Sequence, residues 1–304
     1  MILKGQNLRI LVHNATAHTY DVVGMATSCT ITLNTNTENA STKDDVGLAA
    51  KPVVNSKSWQ VQVESLDVSN VGAMLTAIKS MSKFKLVWDE TSTSDNRTAQ
   101  GAAFSRTGEA YLNDCTFQFD DRTNSTKSLQ FMGTGALSAW DKTGTTVVPA
   151  QALGYTKGQF VRLFLSDNNT DAPDSVIAAA KTLSLHVSLS MENATTKDTE
   201  GDWDVQDPTE LNYDISTSAL VRSGDTITSE VEGKALSDIE DIYESSSPVK
   251  WLIANVSGDN QRTMGTVIAS GSCIISQLSI QAAVKTAATY QATLTGYGAY
   301  TVGS

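Results

Sequence analysis

Glu38-Asn39-Ala40-Ser41-Thr42-Lys43-Asp44 returns 154 residues later as Glu192-Asn193-Ala194-Thr195-Thr196-Lys197-Asp198, with six of seven positions identical and the seventh exchanging Ser for Thr. At the same spacing Trp59 falls on Tyr213, Val61 on Ile215 and Leu66 on Leu220. Upstream, Lys4-Gly5-Gln6 and Arg9 return as Lys157-Gly158-Gln159 and Arg162, 153 residues on. Downstream, Asn96-Arg97-Thr98 returns as Gln261-Arg262-Thr263 and Lys85 as Lys250, both at 165, and Thr134-Gly135 as Thr295-Gly296 at 161. Landmarks that keep their order while their spacing drifts little read as a duplicated domain; the period is far too long for a solenoid. The boundary is expected near residue 150, in the polar stretch 143–156. That gives copies at 1–150 and 151–304, each of ordinary domain size.

Outward from the repeat, apolar residues alternate with polar ones, the period-2 signature of half-buried strands. Cys29, Ile31 and Leu33 do so in the first copy, and Leu183, Leu185, Val187 and Leu189 in the second. Trp59, Val61 and Val63 form another such strand, matched by Tyr213, Ile215 and Thr217, and Cys115, Phe117 and Phe119 form a further one. Leu8–Val12 reads as a buried strand. Each copy also holds one helical stripe. In the first it is Val71, Met74, Leu75, Ile78 and Met81, capped at Ser69 or Asn70. In the second it is Ala235, Leu236, Ile239, Ile242 and Tyr243, with Ser229 and Glu232 as a capping box. The expected fold is mainly β: two tandem homologous β-sandwich or partly open barrel domains, each with one flanking α-helix packed on its sheet.

Composition agrees with a globular chain. Of 304 residues, 40% are apolar and 18% charged, and Ser, Thr, Asn and Gln supply much of the polar surface that sheets and loops need. Cys29, Cys115 and Cys273 form no CxxC pair and read as buried small hydrophobes of a reduced compartment. No signal peptide or membrane-spanning run is read, so synthesis in a cytoplasm is expected. His13, His18 and His186 lie in no nucleophile, metal or base motif; His186 sits on the polar side of its strand and reads as solvated. No enzyme and no cofactor is expected. Asp198, Glu200, Asp202 and Asp204 have the spacing of the start of a calcium loop. The sixth and twelfth positions hold Trp203 and Thr209 where such a loop needs Gly and Glu, so no metal is expected either.

The succession of an alternating strand, Ser41-Thr42-Lys43-Asp44, a polar loop, and Lys57-Ser58-Trp59 opening the next strand resembles the major tail tube proteins of phages with long non-contractile tails. The second copy keeps Thr195-Thr196-Lys197-Asp198 and has Leu211-Asn212-Tyr213 in the later position. The resemblance implies a β-sandwich or barrel flanked by a helix, and protomers joined sheet to sheet into rings with a continuous inner wall. It implies loops at 41–57 and 195–211 that touch the next ring. Family rings hold six domains, so a two-domain chain implies a trimeric, pseudo-six-fold ring that stacks into an open tube. The implied location is the virion tail. The implied partners are further copies of the chain, a tape measure protein, a tail terminator, distal tail proteins, and genomic DNA that passes through the lumen without specific binding.

Net charge supports a wall that does not hold DNA: it is −11, and residues 146–304 carry 19 acidic against 9 basic side chains, while residues 1–145 carry 14 against 13. Much of the excess falls in the second loop. The candidate contact residues between rings or subunits are Ser41, Thr42, Lys43, Asp44, Lys51 and Lys57 in one copy. In the other they are Thr195, Thr196, Lys197, Asp198, Glu200, Asp202 and Asp204, whose acids are expected to meet the lysines of the opposite copy in the next ring. Two other readings stay open: a secreted two-domain adhesin or pilus subunit, which would carry a secretion signal, and the inner tube of a contractile injection machine.

Overall fold

The computed structural model describes residues 5–14, 17–44, 50–66, 68, 71–92, 94, 98–143, 145–148, 156–173, 175–199, 201–221, 233–257 and 263–303. The chain is mainly β, with two helices and an open sheet. In the first half the strands are β1 (Leu8–Asn14), β2 (Thr19–Val22), β3 (Ala26–Asn39), β4 (Pro52–Ser65), β5 (Lys83–Glu90), β6 (Arg106–Gln118), β7 (Thr126–Ala139) and β8 (Thr146–Val148). Helix α1 (Val71–Lys79) stands between β4 and β5. In the second half they are β9 (Val161–Leu165), β10 (Ser175–Val176), β11 (Ala180–Asn193), β12 (Gln206–Leu220), β13 (Val249–Ser257), β14 (Thr263–Gln281), β15 (Thr289–Gly296) and β16 (Thr301–Val302). Helix α2 (Leu236–Ser245) stands between β12 and β13.

Neighbouring strands run β3–β4–β7–β6–β5–β1–β2 in the first half and β11–β12–β15–β14–β13–β9–β10 in the second, all antiparallel. The irregularities recur as well. Bulges lie between Ala26 and Ser28, Asn36 and Thr37, and Leu112 and Asp114 in the first half. In the second they lie between Ala180 and Thr182, Ser190 and Met191, and Ile275 and Gln277. Left-handed backbone occurs at Met25 and Ala179 before β3 and β11, at Met81 and Ser246 after the helices, and at Gly135 and Gly298. Side chains with a Cβ rarely adopt that conformation.

This register corrects one correspondence read from the sequence. Ala110 pairs with Gly133 and Cys273 with Gly296, so Gly133 and Gly135 correspond to Gly296 and Gly298, 163 residues on. By strand position, the Thr134-Gly135 and Thr295-Gly296 dipeptides matched in sequence are not equivalent.

Trp59 and Tyr213 show why those glycines are needed. The Trp59 ring lies over Gly133 and Gly108, where an added Cβ would come within 2.1 Å and 2.5 Å of ring atoms. Tyr213 lies the same way over Gly296, at 2.6 Å, and near Gly271. Bare backbone lets an aromatic face rest flat on the sheet. Trp59 Nε1 donates to Gly135 O (3.1 Å), and Tyr213 Oη donates to Ser272 O (2.6 Å).

The two halves share one sheet and one main core. Helix α1 buries Val71, Leu75 and Ile78, and it touches the second half as well as its own. Tyr300 Oη donates to Leu75 O (2.7 Å) and Lys79 Nζ to Tyr300 O (2.7 Å). The sequence reading set each helix on its own sheet alone. In α2, Ile239 and Ile242 are buried and Tyr243 is exposed. Its start is held by Asp238, whose carboxylate accepts from Ala235 N at 2.7 Å. The cap residues expected at Ser69, Asn70, Ser229 and Glu232 lie outside the described residues, as does most of the expected boundary stretch.

Candidate assembly interface

The halves join where β11 lies antiparallel against the C-terminal part of β6. Asp114 pairs with Ser188, Cys115 with Val187, Thr116 with His186, Phe117 with Leu185 and Gln118 with Ser184. The period-2 alternation then sends Cys115, Phe117, Leu185 and Val187 to one face, where all four are buried. Burial pushes the Cys115 thiol up to about 12, as an inert core cysteine requires.

The opposite face of this junction carries a feature the sequence reading missed. His186 is not solvated in isolation; it bridges two carboxylates. Nδ1 lies 2.7 Å from Asp214 Oδ2 on β12, and Nε2 lies 2.8 Å from Asp114 Oδ2 on β6. Hydrogen bonds to the two carboxylates outweigh partial burial and raise the imidazole to about 10. At neutral pH it is an imidazolium that donates to both halves. The missed signal was pairing: Asp214 and Asp114 become neighbours only once β12 and β6 flank β11.

The loop between β11 and β12 completes the junction. Gly135 N donates to Asp204 O (2.9 Å), Lys57 N to Asp202 O (2.6 Å) and Asp204 N to Lys57 O (2.9 Å). Lys57 Nζ also reaches Asp202 Oδ2 at 3.2 Å, and it stands 6.0 Å above the Trp203 ring. Of the lysines and acids that the sequence reading expected to meet between rings, Lys57 and Asp202 meet within the chain. Glu200 lies outside the described residues.

The repeated motif has a local task. Ser41 N donates to Asn39 Oδ1 (3.0 Å), Lys51 N to Ser41 Oγ (3.1 Å), and Ala40 N to Lys51 O (2.9 Å). In the second half Thr195 N donates to Asn193 Oδ1 (2.9 Å), Val205 N to Thr195 Oγ1 (2.9 Å), and Ala194 N to Val205 O (2.8 Å). An Asx turn and a hydroxyl thus clamp the mouth of each loop. Beyond the clamps, Thr42, Lys43 and Asp44 stand exposed at one tip, and Thr196, Lys197 and Asp198 at the other. Among the described residues no group of three His, Cys, Asp or Glu is placed to hold a metal.

Besides the short strands β8, β10 and β16, each paired with one neighbour, two longer edges are open among the described residues. β3 pairs with β4 alone, and β14 beyond Ile275 pairs only with β15. A groove is lined by His186 on β11, by Leu211, Tyr213 and Asp214 on β12, and by Thr295, Gly296 and Gly298 at and beyond the end of β15.

No family model matches the chain, and no curated protein does. Solved structures of distantly similar shape include the tail of an empty gene transfer agent particle with C6 symmetry, at 14% identity and a TM-score of 0.36, covering 47% of this chain and 93% of that one. Another is the virion of a native gene transfer agent particle, at 14% identity and 0.36, covering 48% and 98%. A third is the SPP1 tail tube, at 18% identity and 0.33, covering 48% and 78%.

Proposed function

We propose that the chain is a tube subunit of a bacteriophage tail, a structural building block without catalytic activity. It carries two copies of one domain, joins by its sheet edges into rings of three chains, and stacks into the hollow conduit through which DNA leaves the particle. One observation carries the reading. The sheet passes without a break from β6 into β11, yet leaves β3 and the end of β14 open, so the strand addition that joins the halves is available to join chains. A monomeric protein blunts such edges. Head-to-tail addition through unlike edges closes into rings or grows without limit. The Thr-Lys-Asp loops and Trp59 that carry the sequence resemblance support the same reading.

In this reading the exposed tips at Ser41–Asp44 and Thr195–Asp198 face neighbouring rings. The acidic balance keeps the lumen from binding DNA. Tape measure, terminator and distal tail proteins meet the tube at its axis and ends. Electron microscopy of the purified chain, with mass photometry on the same sample, tests the proposal. Rings or long hollow tubes with a soluble species of three chains are the expected outcome. A single species of one chain at every concentration, with no assembly when other tail components are added, would overturn it.

A further inference from the structure

We propose that a second copy of the chain adds its β3 to the open part of β14 in one register, with Leu33 opposite Leu278 and Ile31 opposite Ile280. The inference rests on the reading of the chain as a self-assembling subunit and goes beyond it by naming the strands, the residues and the alignment.

The alignment follows from strand pairing. Matching bulges set Ala26 against Ala180, and hence Leu33 against Val187 and Ile31 against Leu185. The bulges in β6 and β14 set Leu112 against Ile275, and hence Cys115 against Leu278 and Phe117 against Ile280. Val187 pairs with Cys115 and Leu185 with Phe117 inside the chain. Transferring that pairing to the open edges places Leu33 on Leu278 and Ile31 on Ile280.

Exposure supports the transfer independently. Leu33 is 60% exposed where Val187 is buried, and Ile280 is 51% exposed where Phe117 is buried. The helices agree: left-handed Met81 and Ser246 follow them, donating to Ile78 O and Tyr243 O alike, which sets Tyr243, 45% exposed, against the buried Ile78. Helix α1 lies over the internal junction, so α2 is positioned to lie over the external one. A backbone donor agrees: Gly298 stands where Gly135 stands in the first half, and the Gly135 N–H is taken by Asp204 O. The counterpart of Asp204 at the repeat spacing is Ala50, so Ala50 O of the second copy is the expected acceptor for Gly298 N–H. Leu33 and Ile280, left exposed at positions that are covered within the chain, with Ile31 and Leu278 half-buried beside them, mark a surface for the same kind of strand.

On the polar face the two junctions differ. His186, Asp114 and Asp214 have Thr32, Gln277 and Gln60 as counterparts. The external junction is therefore uncharged where the internal one is ionic.

Leu33→Cys and Leu278→Cys, each in a Cys29→Ser background, test the register with a short bis-maleimide cross-linker. The expected result is linked chains in the mixture and none with either variant alone, with the link weakened when excess wild-type chains compete for Leu278→Cys and weakened less by the same excess of Leu33→Asp chains. Self-linking of Leu33→Cys, absence of any link in assembled material, or chains that stay single at all concentrations would each overturn the proposal. Tubes that form without the link remove the register and leave the tube reading; linked rings that never stack keep the register and remove the tube reading.

Discussion

The junction of β6 with β11 and the open edges of β14 and β3 are made of corresponding strands, yet only the first is closed within the chain. At the closed junction an imidazolium bridges two carboxylates above a packed row of Cys115, Phe117, Leu185 and Val187. In the corresponding rows the polar residues are Thr32, Gln60 and Gln277, and of the apolar residues Leu33 and Ile280 are exposed while Ile31 and Leu278 are half-buried. In the assembly proposed above, one strand geometry serves two tasks because the side chains differ. Charges that are costly to desolvate at each encounter between chains are then kept where they meet only once, on folding.

Substitution at corresponding positions is the most direct way to break this comparison. Val187→Asp places an unpaired carboxylate in the core and is expected to destabilise the isolated chain by about 4 kcal/mol. Leu33→Asp should change it by less than about 0.5 kcal/mol while abolishing association. Denaturant unfolding of dilute protein, read beside cross-linking, checks both; equal losses would mean the two strands are not in corresponding environments.

The aromatic-on-glycine contacts give the next effect. Gly133→Ala drives a methyl into the Trp59 ring and should cost about 3 kcal/mol, and Gly296→Ala, with slightly more room at Tyr213, about 2. Thermal unfolding of the two variants gives their order.

His186→Gln sharpens the comparison through pH. Because the folded imidazole is raised to about 10, its contribution is complete below the unfolded value near 6.5 and is lost as pH rises through about 10. The site is half exposed and screened, so the variant should lose about 1 kcal/mol at pH 7, and nothing relative to wild type at pH 11. Melting temperatures at the two pH values supply the test. Installing His at Thr32 with Asp at Gln60 and Gln277 should transfer that pH dependence to association.

The loop clamps give the smallest effect. Asn39→Ala and Asn193→Ala each remove one exposed Asx bond and should cost about 0.5 kcal/mol. Amide exchange at Ser41 and Thr195 should report the loss first.

How much of this was legible beforehand depended on range. The alternations around Cys29, Leu183, Trp59 and Cys115 fell on strands, and the stripes at Val71 and Leu236 fell on helices, because those patterns are local. The identical Glu-Asn-Ala motif was legible as a repeat, but its clamping task was not, since Lys51 and Val205 lie ten residues away. His186 was misread because its partners come from β6 and β12, and no linear pattern announces a cross-strand neighbour. The Lys57–Asp202 pair within the chain was not legible either: opposite charges advertise attraction without saying which partners meet.

The clamps at Asn39 and Asn193 also separate inheritance from innovation. With each loop mouth tied by its own backbone bonds, added length beyond it costs only closure entropy, about 0.6 kcal/mol per doubling. The tips can then change length and charge while the sheets below stay as they are. The lysines of one loop and the carboxylates of the other sit beyond the same kind of clamp, and a foreign peptide placed between Lys43 and Asp44 would exploit the same freedom.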